Sequence, residues 1–566
     1  MRLECCKIEA KKQAPRQSST GSPGPADTLA MPPVLRHSAC MEIMLTSLVD
    51  AAEPRYLSAE PGAPLSRTLW LSGLLPPQAM CSGLGRCGRC RVRFGAAREC
   101  PPPLPDEEAI LGSEAVGKGW RLACRRQVPD VPSLRLEVAV PLAAAPVAGG
   151  APLDAPGVPA ALGVDLGTTS VYYRSVRLED GELLAEGHFL NPQAGAGADV
   201  MSRLATARQP GMAEKLAALA REAVQRGLAA TRTVGGRVEA LCVAGNTAMT
   251  DILLERSVAG LCAAPYRLDH PGDETVRLPD LPPVYIPPLM APFVGGDVSA
   301  GLAALMAAGT PRPFVLADLG TNGELALLDR EERLYLVSVP LGPALEGIGP
   351  ECGLQAGPLS ITEFRLSPQG LTGTSSLAAE PPSRFEGISA TGYLSLLSLL
   401  RQTGLMDAEG HFTPQAVTMP LAGRLAAGLT QRHGQPCLDL PYGLRLTAAD
   451  VEELLKVKAA FSLALHSLLD AAALRAGDLA CLCLAGALGE HVPVEHLERL
   501  GFVPRGLGPR IRAVGNASLD GAVLLARCPG RREALTRLCA GARLLPLAES
   551  PEFHQLYLRH MRFGDA

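Results

Sequence analysis

Leu162–Ser170 reads LGVDLGTTS, and Phe314–Leu325 reads FVLADLGTNGEL. In each stretch an apolar run of the kind that forms a strand leads into an aspartate, Asp165 or Asp318, and then into a glycine turn. The two stretches lie about 150 residues apart and share one design. They therefore predict a duplicated α/β domain with two equivalent β-hairpins.

The chemistry of these hairpins indicates phosphate binding. Glycine turns let backbone N–H groups approach phosphate oxygens, and hydroxyl groups add donors. Asp165 and Asp318 are predicted catalytic residues that hold a hydrated Mg²⁺ ion or orient the attacking water, and the alternative is that they only cap the turns. Glu324 either positions water or ribose or is a solvated turn residue. The predicted nucleotide contacts in the hairpins are Gly167, Thr168, Thr169, Gly320, Thr321, Asn322 and Gly323.

A third glycine turn follows near the C-terminus, where Cys481–Glu490 reads CLCLAGALGE. Gly486, Ala487 and Gly489 are predicted to let an adenosine approach the backbone. The order of two phosphate loops and then this turn resembles the actin/sugar-kinase/Hsp70 superfamily. The resemblance implies a two-lobed ATPase that binds ATP and Mg²⁺.

Cysteines cluster near the N-terminus, where Met80–Phe94 reads MCSGLGRCGRCRVRF. A [2Fe–2S] cluster needs four thiolates, two on each iron. Three cysteines in a glycine-rich loop and one distant cysteine favour such a cluster, with a zinc site as the alternative. Cys100, in a proline-rich loop, is the rival fourth ligand to Cys124. The predicted ligands are Cys81, Cys87, Cys90 and Cys124.

The chain has 566 residues, more than one hydrophobic core accommodates. We predict a disordered tail over 1–40, an α+β ferredoxin domain of β-grasp-like type over 41–140, an Ala/Pro linker over 141–160, the two-lobed ATPase domain over 161–545, and a C-terminal tail over 546–566. The net charge of −4 and the 4% aromatic content argue against nucleic-acid binding. No apolar run indicates a membrane span or a signal peptide, which predicts a cytoplasmic protein.

Taken together, these stretches resemble the reductive activators of corrinoid-dependent methyltransferases, which are ferredoxin-fused ATPases. The resemblance extends over about 41–545 and includes Asn191–Leu204, Val243–Thr250, Pro292–Gly301 and Gly515–Ala522. It implies that ATP hydrolysis drives transfer of one electron from a [2Fe–2S] cluster to cobalt(II) of a corrinoid protein. It also implies an external electron donor and is compatible with a homodimer.

Several alternatives stay open at this point. A sugar-kinase-like phosphotransferase and an ATP-binding redox sensor are the competing functions. Asp297 is either a third acidic group near Mg²⁺ or a helix cap. Asn246 and Thr247 either face the nucleotide or partner or form a structural turn. Lys458 either reaches the nucleotide or, as the helical pattern favours, lies on a solvated helix face. Ala390 and Thr391 depart from the Gly-Ser that we expect in this family.

Overall fold

The structure is a computed structural model. It describes residues 41–564 except 51, 79, 82, 97–98, 143–156, 321, 379, 381, 417–419, 433, 487–488, 490–491 and 548–550. The predicted tail over 1–40 and most of the predicted linker therefore lie outside the described residues. None of the described helices combines the length and the apolar character needed to cross a bilayer.

The N-terminal domain is a mixed five-stranded sheet with short helices, in the strand order β2-β1-β5-β3-β4. Its elements are β1 (Met41–Ser47), β2 (Arg55–Ala59), α1 (Leu65–Trp70), β3 (Arg91–Phe94), α2 (Pro105–Leu111), α3 (Ser113–Gly117), β4 (Trp120–Leu122) and β5 (Ser133–Val138). Strands β1 and β5 are parallel, and the other pairs are antiparallel. Alternating side chains of these strands, such as Ile43, Leu45, Leu134 and Leu136, form its own apolar core. The α+β character predicted for this segment is confirmed.

The first lobe of the C-terminal domain contains a six-stranded sheet in the order β10-β11-β9-β6-β7-β8. Its strands are β6 (Val158–Leu166), β7 (Ser170–Arg177), β8 (Leu183–Leu190), β9 (Gly236–Ala244), β10 (Glu274–Val276) and β11 (Val284–Ile286). The helices are α4 (Val200–Ala207), α5 (Met212–Thr233), α6 (Thr247–Leu253) and α7 (Gly296–Ala307). Strand β6 includes the last three residues of the predicted linker, because Val158 already pairs with β9.

The second lobe repeats this sheet in the order β23-β22-β12-β13-β14-β24. Its sheet strands are β12 (Phe314–Leu319), β13 (Asn322–Leu328), β14 (Leu334–Pro340), β22 (Cys481–Ala485), β23 (Ile511–Ala513) and β24 (Arg543–Leu544). In both lobes an antiparallel three-strand meander is extended by parallel strands on the side of its first strand. The predicted duplication is confirmed.

Further elements lie between and after these strands. The short strands are β15 (Ser360–Ile361), β16 (Glu363–Ser367), β17 (Gly370–Thr374), β18 (Gly387–Ile388), β19 (Leu429–Arg432), β20 (Gln435–Asp439) and β21 (Arg445–Thr447). The helices are α8 (Ala390–Thr403), α9 (Pro420–Ala426), α10 (Ala448–Ala471), α11 (Val494–Leu500), α12 (Ala517–Arg527), α13 (Arg532–Ala540) and α14 (Phe553–His560).

The two lobes are joined by a pair of crossing helices. Helix α7 packs on the sheet of the second lobe, whereas α12 packs on the sheet of the first lobe. The helices touch at Gly521, where an added Cβ would lie 1.8 Å from the carbonyl oxygen of Ala300. Glycine therefore allows the close crossing, and the cleft between the lobes opens beside it.

The C-terminal segment is not the tail that the sequence predicts. Residues 553–560 form α14, and Phe563 is buried. The Lys458 ammonium group, itself fully buried, donates to the carbonyls of His560 (3.2 Å) and Arg562 (2.8 Å). Both interpretations of Lys458 are therefore wrong, because its donors are used to fix the C-terminal segment on α10.

Candidate functional site

A cleft of about 590 Å³ lies between the two lobes and is lined by both predicted phosphate hairpins. The predicted site residues that line it are Asp165, Gly167, Thr168, Thr169, Asp318, Gly320, Asn322, Glu324 and Gly486. Thr321 and Ala487 lie outside the described residues. Gly323 and Gly489 do not line the cleft, because they pack against Leu341 and against the backbone of Leu484. For these two glycines the nucleotide contact stays a prediction.

Four carboxylic acids converge in this cleft. Asp165 and Asp318 lie one residue before the ends of β6 and β12, Glu324 lies on β13, and Asp297 is the second residue of α7. Glu324 is only 6% exposed, so it is not a solvated turn residue. The Asp297 side chain accepts from the N–H of Val298 (2.8 Å) and faces the other acids, which favours the interpretation as a third acidic group.

Burial and mutual repulsion raise the pKa values of these acids. Burial raises the pKa of Asp297 to about 8, and the charges of Asp318 and Asp165 add to the shift. Burial, with the charge of Asp165, raises the pKa of Asp318 to about 7. Burial likewise raises the pKa of Glu324 well above its ordinary value. A site of this kind holds protons at neutral pH until a cation replaces them.

This cluster makes the stability of the free protein depend on pH. An acid with a raised pKa in the folded state stabilises the fold below its unfolded pKa, and this stabilisation is lost as the pH rises through its folded pKa. Without divalent cations, we expect the melting temperature to fall as the pH rises from about 4, near the unfolded pKa of a carboxylic acid, to about 8, and Mg²⁺ with nucleotide to oppose the fall.

Calorimetry at several pH values checks this expectation. Asp297→Asn should flatten the profile, because the amide carries no charge at any of these pH values. Asp470→Asn, which alters an exposed aspartate outside the cleft, should leave it unchanged. A profile in Asp297→Asn as steep as that of the wild type would contradict the assignment.

Asp165 is held by the start of α12, the helix that packs on the sheet of the first lobe. The amide of Asn516 donates to one carboxylate oxygen (2.8 Å), and the hydroxyl of Ser518 donates to the other (2.9 Å). Both donors belong to the start of α12, where Asn516 also accepts from the N–H of Leu519 as the helix N-cap. The stretch Gly515–Ala522 contains these residues, but no sequence pattern predicts their contact with Asp165.

Other donors in the cleft come from helix starts and loops. Asn246 caps α6 and donates to the hydroxyl of Thr168 (3.0 Å), which places it in the site. Thr247 instead donates to the carbonyl of Ala291 and is structural. The Thr169 hydroxyl donates to the carboxylate of Glu346 (2.5 Å) across the cleft. Sequence reasoning missed Glu346, because no strand or turn motif marks it.

The four predicted cysteine ligands form two thiol pairs in the N-terminal domain. Cys81 is hydrogen-bonded to Cys87, and Cys90 is hydrogen-bonded to Cys124. The bond to Cys87 lowers the pKa of Cys81 to about 5, and the bond to Cys90 lowers the pKa of Cys124. Cys100 lies apart, near the carbonyls of Pro101 and Gly119 (both 3.8 Å).

The loop around these thiols directs backbone N–H groups towards one of them. Gly83, Gly85 and Gly88 all have positive φ, so the loop curls inward as the sequence predicts. Backbone hydrogen bonds from residues 84, 86 and 87 reach the thiol of Cys81. We call residues 80–94 the cysteine loop. Among the described residues no three His, Cys, Asp or Glu side chains are arranged around one metal-ion position.

A buried glutamate positions Cys124. The carboxylate of Glu107, which is fully buried, accepts from the N–H of Leu122 (2.9 Å) and pairs with Arg126. These two contacts flank the single helical turn Ala123–Arg125 that carries the cysteine. A charged pair of this kind fixes the turn, because neither partner can be left unpaired at low cost. Sequence reasoning missed Glu107.

The N-terminal domain rests on the first lobe through α1. An added Cβ on Gly195 would lie 2.7 Å from the Cβ of Trp70, and Leu71 packs in the core of that lobe. Arg67 donates to the side chain of Gln209 (3.0 Å). The side chain of Arg89, in the cysteine loop, reaches the carbonyl of Gly353 in the second lobe (3.5 Å).

The duplicated sheets, the crossing helices and the acidic cleft define an ATPase fold of the actin/sugar-kinase/Hsp70 type. Two family models match the chain. The model described as the RACo middle region matches residues 160–308, and the model described as the C-terminal domain of RACo, the ASKHA domain, matches residues 312–566. The chain belongs to this family, the reductive activators of corrinoid proteins.

Individual relatives are similar over large parts of the chain. The corrinoid activation enzyme RamQ of Eubacterium limosum is 27% identical over 428 residues, which are 71% of this chain and 70% of the relative. The [Co(II) methylated amine-specific corrinoid protein] reductase of Methanosarcina barkeri is 26% identical over 302 residues, 50% of this chain and 51% of the relative. A solved structure of a reductive activator for corrinoid, iron-sulfur protein superposes with a TM-score of 0.61 at 20% identity, covering 93% of this chain and 98% of that chain.

Proposed function

We propose that this chain is an ATP-dependent reductive activator, which passes one electron from a [2Fe–2S] cluster to cobalt(II) of a corrinoid protein. The observation that carries the proposal is the pairing of four thiols in the N-terminal domain of a chain that also has the acidic nucleotide cleft. Family membership supports it, because the relatives are named as enzymes that activate or reduce corrinoid proteins.

The thiol arrangement fits a two-iron cluster better than one zinc ion. A [2Fe–2S] cluster takes two thiolates on each iron, whereas zinc needs four ligands around a single point. The four thiols lie as two hydrogen-bonded pairs. Cys81 and Cys87 would hold one iron, and Cys90 and Cys124 the other. When bound, such a cluster accepts and donates a single electron.

The cleft residues would bind and orient the nucleotide. Turns at Gly167, Gly320 and Gly486 bring backbone groups to its edge, and Thr168 and Thr169 add hydroxyl donors. Asp165, Asp297 and Asp318 would hold Mg²⁺ through its water molecules, because a hydrated ion needs no closed set of protein ligands. Glu324, beside them, would accept a proton from the attacking water or orient it.

ATP is needed because the electron transfer is uphill. Ferredoxin clusters of this kind have potentials near about −400 mV, and cobalt(I) is a stronger reductant. For one electron, each 59 mV or so costs a factor of about ten in the equilibrium constant. Nucleotide states that bind two conformations with different affinities can supply that free energy. An external electron donor, a corrinoid protein partner and a cytoplasmic location are parts of this proposal.

A kinase assay separates the proposal from the sugar-kinase alternative. With Mg²⁺ and ATP, we expect release of inorganic phosphate that increases when a cobalt(II) corrinoid protein is added. A panel of hexoses and sugar acids should neither be phosphorylated nor stimulate ADP formation. Transfer of the γ-phosphate to a sugar, with no response to the corrinoid protein, would overturn the proposal. ATP binding without any turnover would favour the redox-sensor alternative.

A further inference from the structure

One loop of the second lobe contacts both the nucleotide cleft and the cysteine loop. We call residues 346–356 the linking segment. At one end Glu346 accepts from Thr169 of the first lobe (2.5 Å), and near the other end Gln355 and Ala356 line the cleft. Between them the carbonyl of Gly353 accepts from the side chain of Arg89 (3.5 Å).

The linking segment is tightly folded and is hydrogen-bonded to β18 (Gly387–Ile388). A Cβ added to Gly347 would lie 2.2 Å from the carbonyl oxygen of Leu354, so the two limbs of the loop touch. The N–H of Leu354 donates to the carbonyl of Ile388 (2.9 Å), and the N–H of Ile388 donates to the carbonyl of Cys352 (2.8 Å). Movement at Glu346 is therefore transmitted to Gly353 rather than absorbed by a flexible loop.

The contact at Thr169 is incompatible with phosphate binding by the same hydroxyl group. A threonine hydroxyl has one hydrogen, and this hydrogen is donated to Glu346. A nucleotide phosphate that takes this donor must displace the carboxylate, and the two negative groups repel each other at close range. Nucleotide binding therefore removes a hydrogen bond that joins the two lobes.

The consequence reaches the cysteine loop because the N-terminal domain is anchored on the other lobe. Trp70 packs against Gly195 and Arg67 donates to Gln209, and these two partners belong to the first lobe. Gly353, which accepts from Arg89, belongs to the second lobe. Any rotation of one lobe relative to the other changes the distance between Arg89 and Gly353. The N-terminal domain is thus in contact with both lobes, and its cysteine loop reaches the second lobe through Arg89.

We propose that Glu346 and Arg89 are positioning residues that couple nucleotide occupancy of the cleft to the conformation of the cysteine loop through the linking segment. The inference rests on the proposed nucleotide binding, and it adds the route by which that binding reaches the redox end of the molecule. Glu346 responds to the nucleotide, and the contact of Arg89 with Gly353 carries the response.

Hydrogen–deuterium exchange tests this coupling on the full-length, anaerobically purified protein with and without Mg²⁺ and a non-hydrolysable ATP analogue. In the wild type, we expect the analogue to protect the hairpins at 165–170 and 318–325 and to change the exchange rate of the cysteine loop by at least about threefold. Arg89→Ala should abolish the change in the cysteine loop while keeping the protection of the hairpins. Arg89→Lys, which keeps a hydrogen-bond donor, should restore part of the change in the exchange rate of the cysteine loop.

Two further variants complete the test. Arg86→Ala removes a neighbouring exposed arginine of the same loop and should respond as the wild type does. Glu346→Gln should weaken the response of the cysteine loop, because the amide no longer repels the phosphate. A response that persists undiminished in Arg89→Ala would overturn the coupling. If the analogue protects no hairpin even in the wild type, the proposed nucleotide binding fails, and this outcome is distinct from a failure of coupling alone.

Discussion

Asp318→Asn is expected to lower the rate of ATP hydrolysis by about 10²- to 10³-fold, which is the usual cost of removing a group that orients or activates the attacking water. Asp318 lies near the end of β12 at the floor of the cleft, with Asp165 and Asp297 beside it. Its pKa is raised to about 7, so the carboxylate is ready to exchange a proton for Mg²⁺. Asparagine has nearly the same volume and cannot carry that charge.

The measurement is phosphate release under saturating nucleotide, with nucleotide binding followed separately. Glu331→Gln is the matched control, since Glu331 is an exposed carboxylate in the turn between β13 and β14. We expect the control to hydrolyse ATP at the wild-type rate and Asp318→Asn to retain its iron content. Hydrolysis in Asp318→Asn within about twofold of the wild type would contradict the catalytic role, and Asp318 would then only cap its turn.

Cys124→Ser is expected to abolish or alter the spin-half EPR signal of the dithionite-reduced protein. Wild-type protein purified without oxygen should contain about two irons and about two sulfides per chain. The serine removes the thiol that pairs with Cys90, so the iron held by this pair would lose a thiolate ligand. We expect the iron content to fall or the signal to shift, because oxygen ligation changes the electronic structure of that iron.

Cys100→Ser is the control for this experiment. Cys100 was the rival ligand in the sequence, but its thiol lies near the carbonyls of Pro101 and Gly119 and not beside the two thiol pairs. Iron, sulfide and EPR signal should therefore match the wild type. Equal loss in both variants, or zinc in place of iron in the wild type, would contradict the proposed cluster.

The site residues that could be predicted from the sequence are those that belong to a short, continuous motif. Each phosphate hairpin is one strand, one glycine turn and one aspartate, so Asp165 and Asp318 could be found from short stretches alone. The choice of Cys124 over Cys100 also rested on local context, and the pairing of its thiol with Cys90 supports that choice.

Residues that act across the fold could not be found in this way. Glu346 meets Thr169 because the two lobes face each other across the cleft, and Asn516 meets Asp165 because α12 packs on the sheet of the first lobe. Neither pair leaves a periodic pattern or a fixed spacing in the chain. Glu107 has the same character, since its role comes from burial against Arg126 and not from its neighbours in sequence.

The C-terminus shows a different kind of error. The stretch from Phe553 to Phe563 has apolar side chains at helical spacing, and this signal for a packed helix was present but was not used. For Lys458 the sequence offers only the helical pattern of its own segment, whereas its partners are backbone carbonyls about 100 residues further along the chain. Neither of the two environments considered for this lysine was correct.

A single-turnover reduction tests whether ATP drives the proposed transfer of an electron from this chain to cobalt(II) of a corrinoid protein. Reduced wild-type protein is mixed anaerobically with a methyltransferase corrinoid protein in the cobalt(II) state, and the cobalt(II) EPR signal is followed with ATP, with the non-hydrolysable analogue and without nucleotide. We expect loss of the cobalt(II) signal with ATP and little or no loss in the other two samples. An equal and complete loss in all three samples, or no loss in any of them, would contradict it.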